Sequence, residues 1–179
     1  MLVTVVLVAS LALSGVAFAT QLNTTDAGQP KDFAVGSGMV ADDAFVDFLD
    51  VSLGAYSGPA GENPQGFINY RDASDFAGPD VPNSKGNVVC LAVKDNRAVA
   101  VAEFKEEPPF PGNPYAVLLV EDNGGPNSTI PDRVSALSAW VDLEQMPIED
   151  TCNLYIQVVD AIPLEPIDSG NLTVHDATP

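Results

Sequence analysis

The chain is poor in the residues that most often perform catalysis or bind transition metals. It contains one histidine, one tryptophan and two cysteines in 179 residues. It has no H-E-x-x-H zinc motif, no C-x-x-C pair, no Walker phosphate loop and no G-x-S-x-G nucleophile elbow. A Ser-His-Asp triad would have to use His175, which lies in an alternating run near the C-terminus and is expected to be a sheet-face side chain. The sequence therefore offers no catalytic motif.

Positive charge is also scarce. Seven Lys and Arg face 25 Asp and Glu, which gives a net charge of −18 at pH 7. Such a chain is repelled by nucleic-acid phosphates and by anionic lipid headgroups, so neither is expected as a partner. Three interpretations of the acidity remain open: a solvated anionic surface, a calcium site, or contact with a basic partner surface.

The first 19 residues have no charged side chain and end in Ala17-Phe18-Ala19, the small-x-small pattern that signal peptidase cleaves. Residues 1–19 are therefore predicted to be a secretory signal. A retained membrane anchor is the alternative, because about 18 uncharged residues can just span a bilayer. Residues 20–31 are polar and are expected to be a flexible leader, and residues 32–179 have the length of a single domain. We expect an extracellular, secreted protein.

Cys90 and Cys152 are the only cysteines, and both follow the predicted signal. An even cysteine count in an oxidising compartment predicts a disulfide between them. Two buried free thiols are the alternative. Neither cysteine has neighbours at metal-ligand spacing, because the single histidine is distant in sequence.

Short apolar runs rich in Val, Ile, Phe and Tyr alternate with turn residues about every 10 to 15 positions. This spacing predicts an all-β fold, an antiparallel β-sandwich or barrel of about eight or nine strands. The strongest local signal is a hairpin of residues 87–94 and 97–104, joined by Asp95-Asn96, since Asp and Asn tolerate positive φ.

Three later segments complete the predicted sheet. Residues 133–143 fit either a strand or a helix, and their valine content favours a strand. The runs Leu154–Val159 and Leu172–His175 are expected to be the closing strands.

Carboxylates are the most abundant candidate functional groups. The candidate calcium ligands are Asp42, Asp43, Asp47, Asp122 and Asn123. The turn at residues 122–127 has the composition of a calcium loop but lacks the alternating ligands and closing Glu of the helix-loop-helix type. The same carboxylates leave open a hydrolase that uses a carboxylate pair.

Aromatic side chains are candidates for stacking on a saccharide. They are expected to be core or half-buried sheet residues instead; they are Trp140, Tyr56, Tyr70, Tyr115 and Tyr155.

Four groups of segments share their order and spacing with known exported proteins. They are residues 58–66 (GPAGENPQG), 86–93 (GNVVCLAV) with 97–99, 120–124 (VEDNG) with Pro131-Asp132, and 169–177 (SGNLTVHDA). Together they resemble a group of uncharacterised secreted bacterial proteins over most of residues 32–177. The resemblance implies a small exported β domain, transfers no catalytic residue, and matches a central-strand cysteine of that group to Cys90, with Cys152 as its partner. The chain departs from the pattern at residues 106–112 and 142–153.

From these observations we expect a non-enzymatic extracellular binding or structural module that contacts a cell-envelope or matrix component. No cofactor is expected apart from the calcium that the acidic residues would bind. The alternatives are a small secreted hydrolase and a calcium-stabilised surface domain.

Overall fold

The structure is a computed structural model that describes residues 31–40, 49–72, 84–105, 114–125, 127–137 and 147–177. Its elements are β1 (Asp32–Val40), β2 (Leu49–Ser57), β3 (Gln65–Asp72), β4 (Ser84–Lys94), β5 (Arg97–Glu103), β6 (Tyr115–Glu121), β7 (Arg133–Leu137), the helix α1 (Ile148–Val158), which continues as a 3-10 turn (Val159–Ala161), β8 (Glu165–Pro166) and β9 (Ser169–His175).

The nine strands form one antiparallel sheet in the order β8-β7-β6-β5-β4-β3-β2-β1-β9. Strands β1 to β7 are a meander, in which each strand pairs with the next along the chain. Strands β8 and β9 form the two opposite edges, although only Ile167 and Asp168 separate them in sequence. The sheet therefore curls until its edges approach each other. The prediction of an antiparallel all-β fold is confirmed, with nine strands among the described residues.

The inner face of the curled sheet encloses one apolar core. Alternate residues of each strand point inward, as the pleat requires, and many of them are small. The Phe104 ring fills part of the core beside Tyr70, with ring centroids 5.8 Å apart. A Cβ at Gly86 would lie 2.7 Å from the Phe104 ring, so this ring needs glycine opposite it. The inward alanines are Ala34, Ala55, Ala98, Ala100, Ala102 and Ala116.

Strands β5 and β6 and the second half of β4 are buried on both faces. Their outward residues form a second apolar cluster, which α1 covers. Burial on both faces explains why the sequences of β5 and β6 are continuous apolar runs rather than alternating ones. The cluster comprises Cys90, Ala92, Val99, Val101, Val117, Leu119, Cys152, Val159 and Leu164.

A β-bulge in β4 directs Cys90 to this outer cluster. Val88 pairs with Ala102 and Cys90 with Val101, so Val89 is an extra residue on β4. The extra residue reverses the alternation, because Val88 faces the inner core whereas Cys90 faces outward. Cys90 forms a disulfide with Cys152 of α1, with a Cα–Cα distance of 6.1 Å. The predicted disulfide is confirmed.

The prediction of a strand at Leu154–Val159 is wrong, because Leu154 to Val158 belong to α1. The residues of α1 that pack against the sheet recur every three to four positions, which is the helical period: Cys152 and Val159 are buried, and Tyr155 and Ile156 between them are half-buried. Leu154 and Val158 face solvent, 46% and 43% exposed. For residues 133–143 the strand interpretation is confirmed over β7, and residues 138–146 lie outside the described part.

Two aspartates join the outer edge of β9 to the connection between β6 and β7. The backbone N–H of Leu172 donates to Asp132 Oδ2 at 2.7 Å, and the N–H of Val174 donates to Asp122 Oδ2 at 3.1 Å. The second carboxylate oxygens accept from the N–H groups of Asn123 and Gly124, both at 2.8 Å. Edge amides that have no neighbouring strand are thus satisfied by carboxylates. We call this junction the carboxylate seam.

Removing the disulfide is expected to lower the free energy of unfolding. The bridge links residues that are 62 apart in sequence, and closing a loop of that size stabilises a fold by about 4 kcal/mol on the chain-entropy account. The double variant Cys90→Ala/Cys152→Ala should lose about this amount in urea unfolding, and reduction of the wild type should cause a similar loss. An unchanged unfolding midpoint would contradict a stabilising role for the bridge.

Asp132→Asn is expected to destabilise the protein by about 2 kcal/mol, because an amide can accept only one of the two backbone N–H bonds and turns an NH₂ group toward the other. Urea unfolding measures the loss, and hydrogen exchange should show faster exchange at the Leu172 amide. Glu165→Gln is the matched control, since it removes one charge from an exposed position on β8. Equal stability of the two variants would rule out a special role for Asp132.

Candidate functional site

The outer surface of the sheet has a covered half and an open half. Helix α1 packs over β4 and β5, whereas no described element packs over the outer side of β9, β1, β2 and β3. We call this second surface the open face; it consists of the outward side chains of those four strands together with Lys85 and Asn87 of β4.

An aromatic row crosses three strands of the open face. Strand pairing places His175 opposite Phe33 and Phe33 opposite Tyr56. The Phe33 ring stacks on His175 with centroids 5.0 Å apart and lies 6.2 Å from the Tyr56 ring. His175 is an exposed sheet-face residue, as predicted. The expectation that Tyr56 is a core or half-buried residue is wrong, because Tyr56 follows the inward Ala55 and is 45% exposed.

The other tyrosines follow the expectation. Tyr70 is buried in the inner core, while Tyr115 and Tyr155 are half-buried around the outer cluster. Trp140 lies outside the described residues.

A second exposed ring lies next to this row. Phe67 pairs with Gly54, and a Cβ at Gly54 would be 3.1 Å from Phe67 Cε1, so the glycine makes room for the ring. Phe67 is 37% exposed. The ammonium group of Lys85 lies 5.3 Å from the centroid of the Phe67 ring, a cation–π contact.

Beyond the rings, the open face becomes polar and concave. A depression of about 450 Å³ is lined by Asp50, Ser52, Asn69, Arg71 and Lys85. Strand pairing aligns Asp50 with Arg71, and it aligns Asn69 with both Ser52 and Lys85. Asn69 Nδ2 donates to Ser52 Oγ at 3.2 Å. The depression thus combines two cations, a carboxylate, an amide and a hydroxyl group.

Three of the described cations form ion pairs with carboxylates, whereas Lys31, Arg71, Lys85 and Arg133 form none with a described residue. Arg97 contacts both Glu121 and Asp160, and Lys94 and Lys105 each lie within 4 Å of a carboxylate. Arg71 and Lys85 form no ion pair with any described residue. Within the part of the chain that the structure describes, no carboxylate neutralises these two charges.

The groups that line this depression can recognise a polar ligand. Amide, guanidinium and hydroxyl groups make directional hydrogen bonds, and exposed rings provide flat apolar area. Hydrolysis of a glycosidic bond requires two carboxyl groups on either side of it. Among the described lining residues, Asp50 provides one.

The candidate calcium ligands lie elsewhere. Asp122 is part of the carboxylate seam, where both of its oxygens accept backbone N–H bonds. Asn123 Nδ2 donates to the Pro131 carbonyl at 2.9 Å. The part of the chain that the structure describes contains no group of three or more His, Cys, Asp or Glu placed to hold a metal ion. Asp42, Asp43 and Asp47 lie outside it, so calcium binding there stays a prediction.

Two buried ionisable groups have raised pKa values, and both are structural. Burial raises the pKa of the Asp32 carboxyl, and the nearby Asp176 adds to the shift, although the Ala177 N–H donates to Asp32 Oδ1 at 2.7 Å and opposes it. Burial raises the pKa of the Tyr70 phenol as well. Neither group reaches the depression, because both point to the inner side of the sheet.

Sequence reasoning did not identify the residues that line the depression. Ser52, Asn69, Arg71 and Lys85 belong to no motif, and they come together only through the pairing of β2, β3 and β4. The available signal was the alternation in GFINYR, which places Phe67, Asn69 and Arg71 on one face.

No protein-family model, curated protein or solved structure matches this chain. Among the described residues, no helix is long and apolar enough to cross a membrane.

The buried Asp32 leads to a pH-dependent prediction. The pKa of Asp32 is higher in the folded state than in the unfolded state, so the folded state binds more protons between these two values. The free energy of unfolding that Asp32 contributes therefore falls as the pH rises from the unfolded pKa through the folded one. Asp32→Asn removes this titration and retains an oxygen that accepts the Ala177 N–H. The free energy of unfolding of Asp32→Asn minus that of the wild type should therefore increase between about pH 3 and pH 7.

Urea unfolding at both pH values measures this difference, with Glu165→Gln as the control for loss of one charge. A difference that is independent of pH, or that decreases as the pH rises, would show that Asp32 is not held in this way.

Proposed function

We propose that this protein is an exported, non-enzymatic binding module that attaches to a component of the cell envelope or extracellular matrix through the open face. The observation that carries the proposal is the composition of that face. It presents exposed aromatic rings beside a depression in which two cations have no carboxylate partner among the described residues. Flat rings next to hydrogen-bonding groups are typical of sites for polar ligands with apolar faces.

Two features support the extracellular location. The apolar residues 1–19 end in a signal-peptidase pattern, and the proposed mature chain begins at residue 20. The Cys90–Cys152 disulfide is compatible with an oxidising compartment, where such bonds persist. The charge of −18 suits a soluble exported protein and opposes contact with nucleic acid and anionic membranes.

The exposed rings favour a binding role over a purely structural one. Solvent exposure of Tyr56 and Phe67 leaves large apolar area in water. Both side chains lie on the same face as the depression, on the adjacent strands β2 and β3. A ligand that covers both rings and the depression would bury this area together with the polar groups.

The purified protein is expected to co-sediment saturably with cell envelope or with an insoluble polysaccharide. The double variant Tyr56→Ala/Phe67→Ala should weaken this binding at least about tenfold, which corresponds to about 1.4 kcal/mol. The matched control is Leu154→Ala/Val158→Ala, which removes two exposed apolar side chains from α1 instead. The measurement is repeated with calcium and with a chelator.

Loss of sedimentation with the chelator would assign a role to calcium. No saturable sedimentation in either condition, or an equal loss in the α1 control, would count against the open face as a binding surface.

A further inference from the structure

We infer that the ligand of the open face is an acidic saccharide chain, and that Arg71 and Lys85 bind its carboxylate or sulfate groups. This inference rests on the proposed binding function and specifies the chemistry of the ligand. It follows from the placement of the two cations, from their lack of a carboxylate partner among the described residues, and from the groups that surround them.

Arg71 and Lys85 are neighbours on adjacent strands. Lys85 pairs with Asn69, and Arg71 is the next outward residue after Asn69 on β3. Diagonal neighbours of this kind in a sheet lie about 7 Å apart, and like charges at that distance repel. An anion placed between the two side chains would remove the repulsion and could bind both.

No carboxylate among the described residues forms an ion pair with Arg71 or Lys85, although carboxylates are abundant in the chain. Acidic residues outnumber basic ones by 25 to 7. Asp50 is aligned with Arg71 across β2 and β3, yet the two side chains form no ion pair. Lys85 is instead positioned over the ring of Phe67. The two cations therefore form a local positive region on an otherwise acidic molecule.

The neighbouring groups distinguish a saccharide from other anions. Sugar hydroxyl groups match the amide of Asn69 and the hydroxyl of Ser52, while the C–H face of a sugar ring matches the exposed rings of Tyr56 and Phe67. A guanidinium group binds a carboxylate through two parallel hydrogen bonds. An acidic peptide provides the charge without the hydroxyl-bearing rings.

The net charge also sets the conditions for binding. A polyanion is repelled by the molecule at long range, whereas contacts within the depression act at short range. The Debye length is about 8 Å at 0.15 M ionic strength and about 30 Å at 0.01 M. Affinity should therefore be higher at 0.15 M than at 0.01 M salt, contrary to simple attraction between a basic patch and a polyanion.

The test uses the purified protein at 0.15 M salt with EDTA, titrated by isothermal calorimetry with polygalacturonate, with a neutral soluble β-glucan and with polyglutamate. The wild type should bind polygalacturonate in preference to both other polymers. Arg71→Gln/Lys85→Gln should weaken this binding at least about tenfold. The control Lys94→Gln/Lys105→Gln makes the same change in net charge at exposed positions outside the depression, and it should bind as the wild type does. Thermal unfolding verifies that both variants are folded.

Several results would overturn the inference. Binding to the neutral glucan alone, unaffected by Arg71→Gln/Lys85→Gln, would refute an acidic ligand and leave the proposed binding function standing. Equal binding to polyglutamate would refute the saccharide assignment. An equal loss in the Lys94/Lys105 control would attribute binding to net charge. If the protein binds none of the polymers and also fails to sediment with cell envelope, the proposed function fails together with the inference.

Discussion

The carboxylate seam is the constraint on which the arrangement of this protein depends. The amides of Leu172 and Val174 point away from β1 and would be unsatisfied at an open sheet edge, but Asp132 and Asp122 accept their hydrogen bonds. An unpaired edge strand is a template for association with other chains, and the two carboxylates occupy it. They also hold β9 beside β1, and this pairing brings His175 onto the open face next to Phe33. Part of the acidity of the chain thus has a structural use.

The bulge in β4 separates the covered half of the outer surface from the open half. The bulge at Val89 reverses the alternation of β4, so that Cys90 meets α1 while Lys85 and Asn87, which precede the bulge, remain on the open face. One strand therefore contributes to both surfaces. The covered half packs against α1 and is linked to it by the disulfide. The open half is presented on that support, which suits a binding surface built on strands rather than on loops.

The sequence was sufficient for the fold class and for local features whose signal is short-range. The Asp95-Asn96 hairpin follows from turn chemistry, and the cysteine pair follows from an even cysteine count. The composition of the short apolar run Leu154–Val159 predicts a strand, whereas the spacing of the residues that pack against the sheet is that of a helix. The depression was missed for a different reason. Its residues are joined only by the register of three strands, and no local pattern in a single sequence specifies a register.

We propose that this protein binds its ligand on the solvent-facing side of β9, β1, β2 and β3. The most direct test is a ¹H–¹⁵N chemical-shift titration of the labelled protein with an acidic oligosaccharide. The shift changes should concentrate on the open face, and the changes at the backbone amides of Asn69, Arg71 and Lys85 should be among the largest. Changes that concentrate on α1, around Leu154 and Val158, or that spread evenly over the surface, would contradict it.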